Sequence, residues 1–581
     1  MSVAIVGACL GLAVAGCGLL DRTPAPQLSS IENDYLDALF NFYPTFASRQ
    51  GLRQYDGRLD DLSALSVGRR IDELGRTLAR LRALRATGVV PQEENDAAIL
   101  DHFLRAELLD YREIEHWRHD PALYLQVPLL AIDHMMRGNY APASERLRSI
   151  IISVHETQAI LASMRGNVSG APAPLIRRAI RVSHQLDALL NKDLPAWAQE
   201  AAGVDMRLVN SFGAAAPGAQ EAVAASRRWL ESELAPRATA DFALGAERLA
   251  MMLLFRTMVD LPLEQIVAEG EAALARDTVA FEEAARAIAP GQSAGAVLAA
   301  VQERRIAASQ MEDYVSRTLG ELRPFVTGGI LPGLPAEMIP HVVAAPPHLQ
   351  SASDPFLGRL PGMLGQERAD GYLFVATGAG WWDAPLQSEH GRRLTEEELA
   401  LAIIHHLLPG NYTLALARRQ NEQLTQVAKL HPSRLTCDGW SHYAEQALAE
   451  AGFARENPRF RLIQLHRAMV RDCRMIASVQ IHLRRMTLAE AAGMFERRAH
   501  LPPALAQLEA ERAIWDPLYL SDGLGRLLIL RLREDYRSAK GPDYSLEAFH
   551  RDFLALGGMP LPLVRKVLLP DGGTRPAPKK R

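Results

Sequence analysis

The chain has 581 residues, 48% hydrophobic and 23% charged, enough apolar material to bury large cores and too little bias for a disordered, collagen-like or low-complexity chain. Its net charge of -4, with no Lys/Arg-rich run before Lys579-Lys580-Arg581, offers phosphates no basic field, so no nucleic-acid partner is expected.

Residues 2–15 are almost all apolar or small, which suits a signal-peptide core and is too short for a comfortable membrane span. The stretch ends in Val14-Ala15-Gly16-Cys17, which resembles the bacterial lipoprotein cleavage box. That resemblance implies a signal peptide over 1–16, a lipid on Cys17, and a lipid-anchored protein of the bacterial cell envelope facing the periplasm. The alternative is an ordinary secretory signal with an incidental cysteine. Residues 17–30, with Pro24 and Pro26 and no apolar period, read as the lipidated tether.

From residue 31 the 3.6-residue period takes over. Ile71, Leu74, Leu78 and Leu81 put one apolar stripe on one helix face. Similar stripes cover 95–117, 143–164, 175–190, 219–234, 243–254, 263–288 and 294–319, so 31–323 reads as an N-terminal helical half. Gly170-Ala171-Pro172 and Pro217-Gly218 read as interhelix loops. The helical period vanishes over 324–391, where Tyr372-Leu373-Phe374-Val375-Ala376 is the strand candidate. Thr395 and Glu398 predict a capping box before the apolar run 399–408, which Pro409-Gly410 must bend or end. Further helices are expected over 440–451, 459–485, 488–497, 503–514, 524–537 and 545–555. Residues 324–568 thus form a C-terminal half and 569–581 a flexible tail. Cys437 and Cys473 either pair in an oxidising compartment or stay as buried thiols.

A strand, a capped helix carrying histidines and a following helix rich in acids is the layout of a zinc peptidase, where histidines and a carboxylate hold the metal and a free Glu activates its water. From Glu32 to Pro562 the chain resembles the bacterial family known as domain of unknown function 885, whose members look like helical, gluzincin-type metallopeptidases and are often exported lipoproteins. The resemblance rests on Pro44-Thr45-Phe46-Ala47-Ser48-Arg49-Gln50-Gly51, on Asp438-Gly439-Trp440-Ser441-His442-Tyr443-Ala444-Glu445, on residues 471–482, and on Phe549-His550 with Gly557-Gly558-Met559-Pro560-Leu561-Pro562. It implies a mainly α, gluzincin-peptidase-like fold: a large multi-helix body with a central groove and a small strand element.

Where such a family carries His-Glu-x-x-Pro-Gly-His, this chain has His405-His406-Leu407-Leu408-Pro409-Gly410-Asn411. His406 replaces the expected general-base Glu, and Asn411 replaces the second His. An amide is a poor zinc ligand, and an imidazole lacks the geometry of a carboxylate that accepts and passes on a proton. Asp438 replaces the first Glu of the downstream motif, Glu445 is kept, and Ser478 stands where an Asp is expected. Trp515-Asp516-Pro517-Leu518-Tyr519-Leu520 fills a segment where the family's substrate-contacting Tyr and Lys are expected.

Two readings follow. In the first the protein is a pseudoenzyme: it keeps the groove, expects no cofactor, and binds a peptide or protein. In the second, a divergent zinc metallohydrolase acts on short peptides through a relocated ligand set drawn from His405, His406, Asp438, His442 and Glu445, with Asp438 and His442 sharing a helix face at i, i+4. Both readings expect the helix ending near His405 beside the one beginning near Asp438. Arg471 and Arg474 are expected to pair with buried acids as a groove ion network. His482 joins that network or is a hydrogen-bonded core histidine, and Trp440 and Tyr443 read as core. Neither a Gly-x-Ser-x-Gly elbow, nor an activating partner for Cys437 or Cys473, nor a Gly-rich phosphate loop is present.

Overall fold

The structure, a computed structural model, describes residues 27–90, 93–332, 334, 338–350, 354–365, 370–376, 384–391 and 393–570. Cys17, the signal segment and the tail from 571 lie outside them. The described chain is mainly helical. Its one sheet holds β1 (Pro340–Ala344), β2 (Phe356–Arg359) and β3 (Gly371–Val375), in the order β1-β3-β2. β1 runs parallel and β2 antiparallel to β3. β3 is central because its Leu373, Phe374 and Val375 are buried, as a strand rich in aromatic and apolar residues demands. Tyr372 to Val375 thus lie in a strand, as expected from the sequence, with two partners the sequence did not show.

Three large apolar clusters hold the body, with a small fourth at Ala345, Phe374 and Ala376 beside the sheet. One runs from Leu28 to Leu104 with Val427 to Leu430, one from Phe42 to Leu234, and the largest gathers the helices from Leu249 to Leu569. At the centre of the largest lies Pro458–His482, a 25-residue helix buried all round. Leu263–Ile288 packs along it, and Gly270 sets the approach: a Cβ there would stand 3.1 Å from Ile476 Cγ1. Arg434–Ala451 crosses Ser521–Lys540 just as closely. A Cβ on Gly439 would come within 2.5 Å of Gly525 Cα, and one on Gly525 within 2.2 Å of the Leu435 carbonyl. Gly439, part of the 438–445 motif, is therefore a packing requirement.

The structure departs from four sequence expectations. Pro217 and Gly218 lie inside the helix Met206–Trp229. A Cβ on Gly218 would fall 2.3 Å from Gln158, and the packing of Ala215, Ala216, Ala219 and Val223 carries the helix through the proline. The expected helix over 294–319 is two, Ala294–Gln302 and Met311–Gly329, because the intervening chain bonds sideways: Ile306 N–H donates to the Leu394 carbonyl at 2.8 Å. That second helix also carries Pro324 and continues into the segment expected to be irregular. The capping box at Thr395 is half formed. Thr395 Oγ1 accepts from Glu398 N–H at 3.2 Å, while the Glu398 carboxylate turns to Arg467.

Glu396–Gln420 is long and apolar enough to cross a membrane by composition, but 89% of its most apolar window is buried within the body. It is broken into Glu396–His406 and Asn411–Gln420 at Pro409-Gly410. Gly410 is required there, since a Cβ would sit 1.9 Å from the His405 carbonyl oxygen. Cys437 and Cys473 are separate free thiols, and burial raises the pKa of both.

Candidate functional site

The bend at Pro409-Gly410 places His405 and His406 at the end of one helix and Asn411 at the start of the next. All three line a cavity of about 270 Å³ together with Asp438, Arg471 and Arg474. The sequence expectation that His405 lies beside Asp438 thus matches the structure. Glu445 lies beneath the cavity, fully buried. His442 and His482 are elsewhere. His442 Nδ1 donates to the Asp522 carbonyl at 3.2 Å, and its Nε2 has no partner among the described residues. His482 Nε2 donates to the Ala513 carbonyl at 2.9 Å, while Nδ1 accepts from Leu244 N–H at 3.3 Å. It is a core histidine of the Pro458–His482 helix.

Glu445 is the hub. Its Oε1 accepts from His405 Nδ1 at 2.8 Å, from Arg467 at 3.0 Å and from Arg471 at 2.8 Å. Its Oε2 accepts from Arg471 at 3.0 Å and Arg467 at 3.3 Å. Burial opposes its ionisation, but Arg467, Arg471 and His405 outweigh burial and hold the carboxyl well below the usual range. A carboxylate can only accept, so His405 carries its proton on Nδ1 and leaves Nε2 for the cavity. Arg474 forms a two-pronged pair with Glu509, at 2.8 and 2.6 Å, and reaches Asp522 at 3.0 Å. Arg434 takes Asp438 at 2.8 Å and also Asp516. Burial pushes the Asp438 carboxyl up against the pull of Arg434. Burial, with His405 adding to it, lowers His406 to about 3, so its imidazole is neutral.

The arginines singled out from the sequence therefore pair with acids, Arg471 with Glu445 and Arg474 with Glu509 rather than Asp438. Arg467, Glu398, Arg434, Glu509 and Asp522 were missed. Arg467, Arg471 and Arg474 are spaced i, i+4, i+7 on one helix, a charged stripe legible in the sequence. Glu398 was read as a cap. Ser478, where an Asp was expected, donates to the Pro517 carbonyl at 2.5 Å, and Tyr519 lies under the Arg474 and Arg512 guanidiniums.

These donors do not suit zinc. Every lone pair of Glu445 that could face a metal is taken by a guanidinium or by His405. Asp438 is held by Arg434, and Asn411 offers an amide. Among the described residues no three His, Cys, Asp or Glu side chains converge as a zinc site requires. His442 does not line the cavity that His405, His406 and Asp438 share. What the arrangement can do is hold polar groups, since six arginines and six carboxylates line it alongside Phe356, Val470, Leu501, Leu505 and Leu508.

The family model of the bacterial protein of unknown function (DUF885) matches residues 44–568. The chain belongs to this family. Two solved structures share the fold of this DUF885 chain. One is from Shewanella oneidensis, described as a candidate lipoprotein of unknown function, 21% identical, with a TM-score of 0.74 over 94% of this chain and 100% of that one. The other, from Colwellia psychrerythraea and described as a candidate lipoprotein, is 16% identical, with a TM-score of 0.76 over 92% of this chain and 97% of that one. None of the curated proteins matches the chain.

Proposed function

We propose that this DUF885 member is an exported, lipid-anchored, peptidase-like protein of the cell envelope that binds a short peptide or protein segment in the cavity around His405 without cleaving it. The observation that carries the reading is the saturation of Glu445 by Arg467, Arg471 and His405, which occupies the old metal-supporting carboxylate with fixed cations. His406, neutral and in the general-base position, supplies no carboxylate to activate water. The mixed lining of ion pairs and aliphatic side chains fits a peptide, whose amides need both donors and acceptors while its side chains need apolar contact. Export and anchoring rest on the Val14–Cys17 box, and the candidate lipoproteins that share the fold agree with it.

Two experiments test the reading. Purified chain should carry well under one zinc and show no chelator-sensitive peptidase activity, because the motif keeps one of its two histidines and no base. His406→Glu with Asn411→His should raise metal occupancy, as measured by plasma emission spectrometry. Stoichiometric zinc in the unaltered chain, lost in His406→Ala, would establish the divergent hydrolase instead. For the anchor, Cys17→Ser should abolish labelling by a fatty-acid probe and move the chain out of the membrane fraction. Recovery of unaltered chain as soluble protein with another mature N-terminus refutes anchoring.

A further inference from the structure

A second cavity, of about 620 Å³, lies between the N-terminal helices and the sheet. Strand β2 joins it to the first: Phe356 lines one and Arg359 the other, three residues or about 10 Å apart along the strand. Their charges differ. Among the described residues the first balances six arginines with six carboxylates, whereas the second presents Arg53, Arg137 and Arg359 against Asp370 as its one lining carboxylate.

The positive groups are crowded around His134. Arg53 Nη1 stands 3.3 Å from its Nε2 and Arg359 Nη2 stands 2.9 Å from its Nδ1. Burial first, then Arg359, Arg53 and Arg49, push His134 down to about 2, so the ring is neutral. A neutral imidazole accepts at one nitrogen only, and one guanidinium N–H is therefore set against a ring N–H. Nearby carboxylates relieve this only in part: Arg53 also reaches Asp56, at 3.7 Å. Asp133 is shared between Arg137 at 2.5 Å and His348 at 2.9 Å, and Asp370 meets His341 at 3.3 Å. Arg359 has no carboxylate within ion-pair distance among the described residues; its guanidinium meets His134 Nδ1 and the His134 carbonyl. Arg49 is exposed beside the group, without an ion pair among the described residues.

The 44–51 motif, which the main cavity leaves unexplained, builds this second one. The Gln50 carbonyl accepts from Leu364 N–H at 2.9 Å and Gly365 N–H at 3.0 Å, and Gln50 Oε1 accepts from Met363 N–H at 3.2 Å. A Cβ on Gly362 would stand 2.7 Å from Gln50 C, so only glycine lets the loop after β2 seat on the motif. Gly51 itself lines the cavity at φ +98°.

We propose that this cavity is an oxyanion site, taking a carboxylate or phosphate group of a ligand between Arg53, Arg137 and Arg359, with Arg49 at the rim. A two-oxygen anion would accept forked N–H donors from the guanidiniums and would give Arg359, which has no ion pair among the described residues, a negative partner. The site stands whether or not the main cavity binds peptide.

The test is calorimetric titration of the detergent-purified full chain with inorganic phosphate and, separately, with N-acetyl-dialanine, whose C-terminal amide is the control. At least one of the two anions should bind saturably at millimolar concentration and the amide should not. Phosphate alone identifies a phosphate source, and the dipeptide acid alone a peptide carboxylate. Arg359→Gln and Arg49→Gln should each weaken binding about tenfold or more, as loss of a charge-assisted donor implies, while Arg228→Gln on the exposed surface should not. If Arg359→Gln loses its helical circular dichroism, Arg49→Gln, exposed and outside any ion pair, decides the matter. Absence of saturable binding by both anions, or equal affinity in the Arg49 variant and unaltered chain, overturns the proposal.

Discussion

Glu445→Ala is expected to destabilise the chain by about 3–5 kcal/mol, the cost of stripping one partner from a buried ion-pair network. The alanine would leave Arg467 and Arg471, both on the Pro458–His482 helix, without their shared carboxylate; Arg467 would keep Glu398, at 2.9 Å. Arg471 would keep only Asp522, at 3.9 Å. Glu445→Gln should cost nearly as much, because the amide keeps the shape and loses the charge. Adding Arg471→Met to Glu445→Ala should recover part of the loss by removing the stranded cation. The measurement is the urea midpoint at neutral pH. A loss below about 1 kcal/mol, the scale of an exposed pair, would mean that water reaches the network and that Glu445 is free to serve a ligand.

Acid should unfold the protein between about pH 6.5 and 4, above the range in which most carboxylates protonate. Burial is the first cause of the depressed histidines: His482 and His550 fall to about 4, and His431 and His466 to about 3. His550 shows why a second proton is refused. Its Nδ1 donates to the Ile330 carbonyl and its Nε2 accepts from the Tyr443 hydroxyl, both at 2.8 Å. The unfolded chain takes up each proton from about pH 6.5 downward, while the folded chain does not until about 4. The unfolded state therefore binds more protons in that window, and stability, fully present above pH 6.5, falls as pH falls. Each such group forfeits about 3 kcal/mol by pH 4, so several exceed the 5–15 kcal/mol typical of a domain. Circular dichroism against pH reads the transition. His482→Gln, which keeps a donor and an acceptor without a titrating ring, should move the midpoint to lower pH, and a signal flat down to pH 4 would contradict the prediction.

The sequence by itself determined the helical class, the strand at Tyr372 and the break at Pro409-Gly410. Each of these is written in a local period, a backbone restriction or a residue's own chemistry. It also placed His405 and Asp438 together, because motif spacing carries over when the fold does. Tertiary structure alone decided the rest. Whether Pro217 ends a helix depends on the alanine face that packs behind it, and whether 303–310 stays helical depends on the Leu394 carbonyl it meets. Arg471 could have paired with any buried acid. Only the crossing at Gly439 and Gly525 and the burial of Glu445 settle which one, since ion pairing and burial are set by distances between segments far apart in the chain. The arginines lining the second cavity come from residues 53, 137 and 359, and no local pattern links them. Their common cavity exists only because the loop after β2 closes on the 44–51 motif.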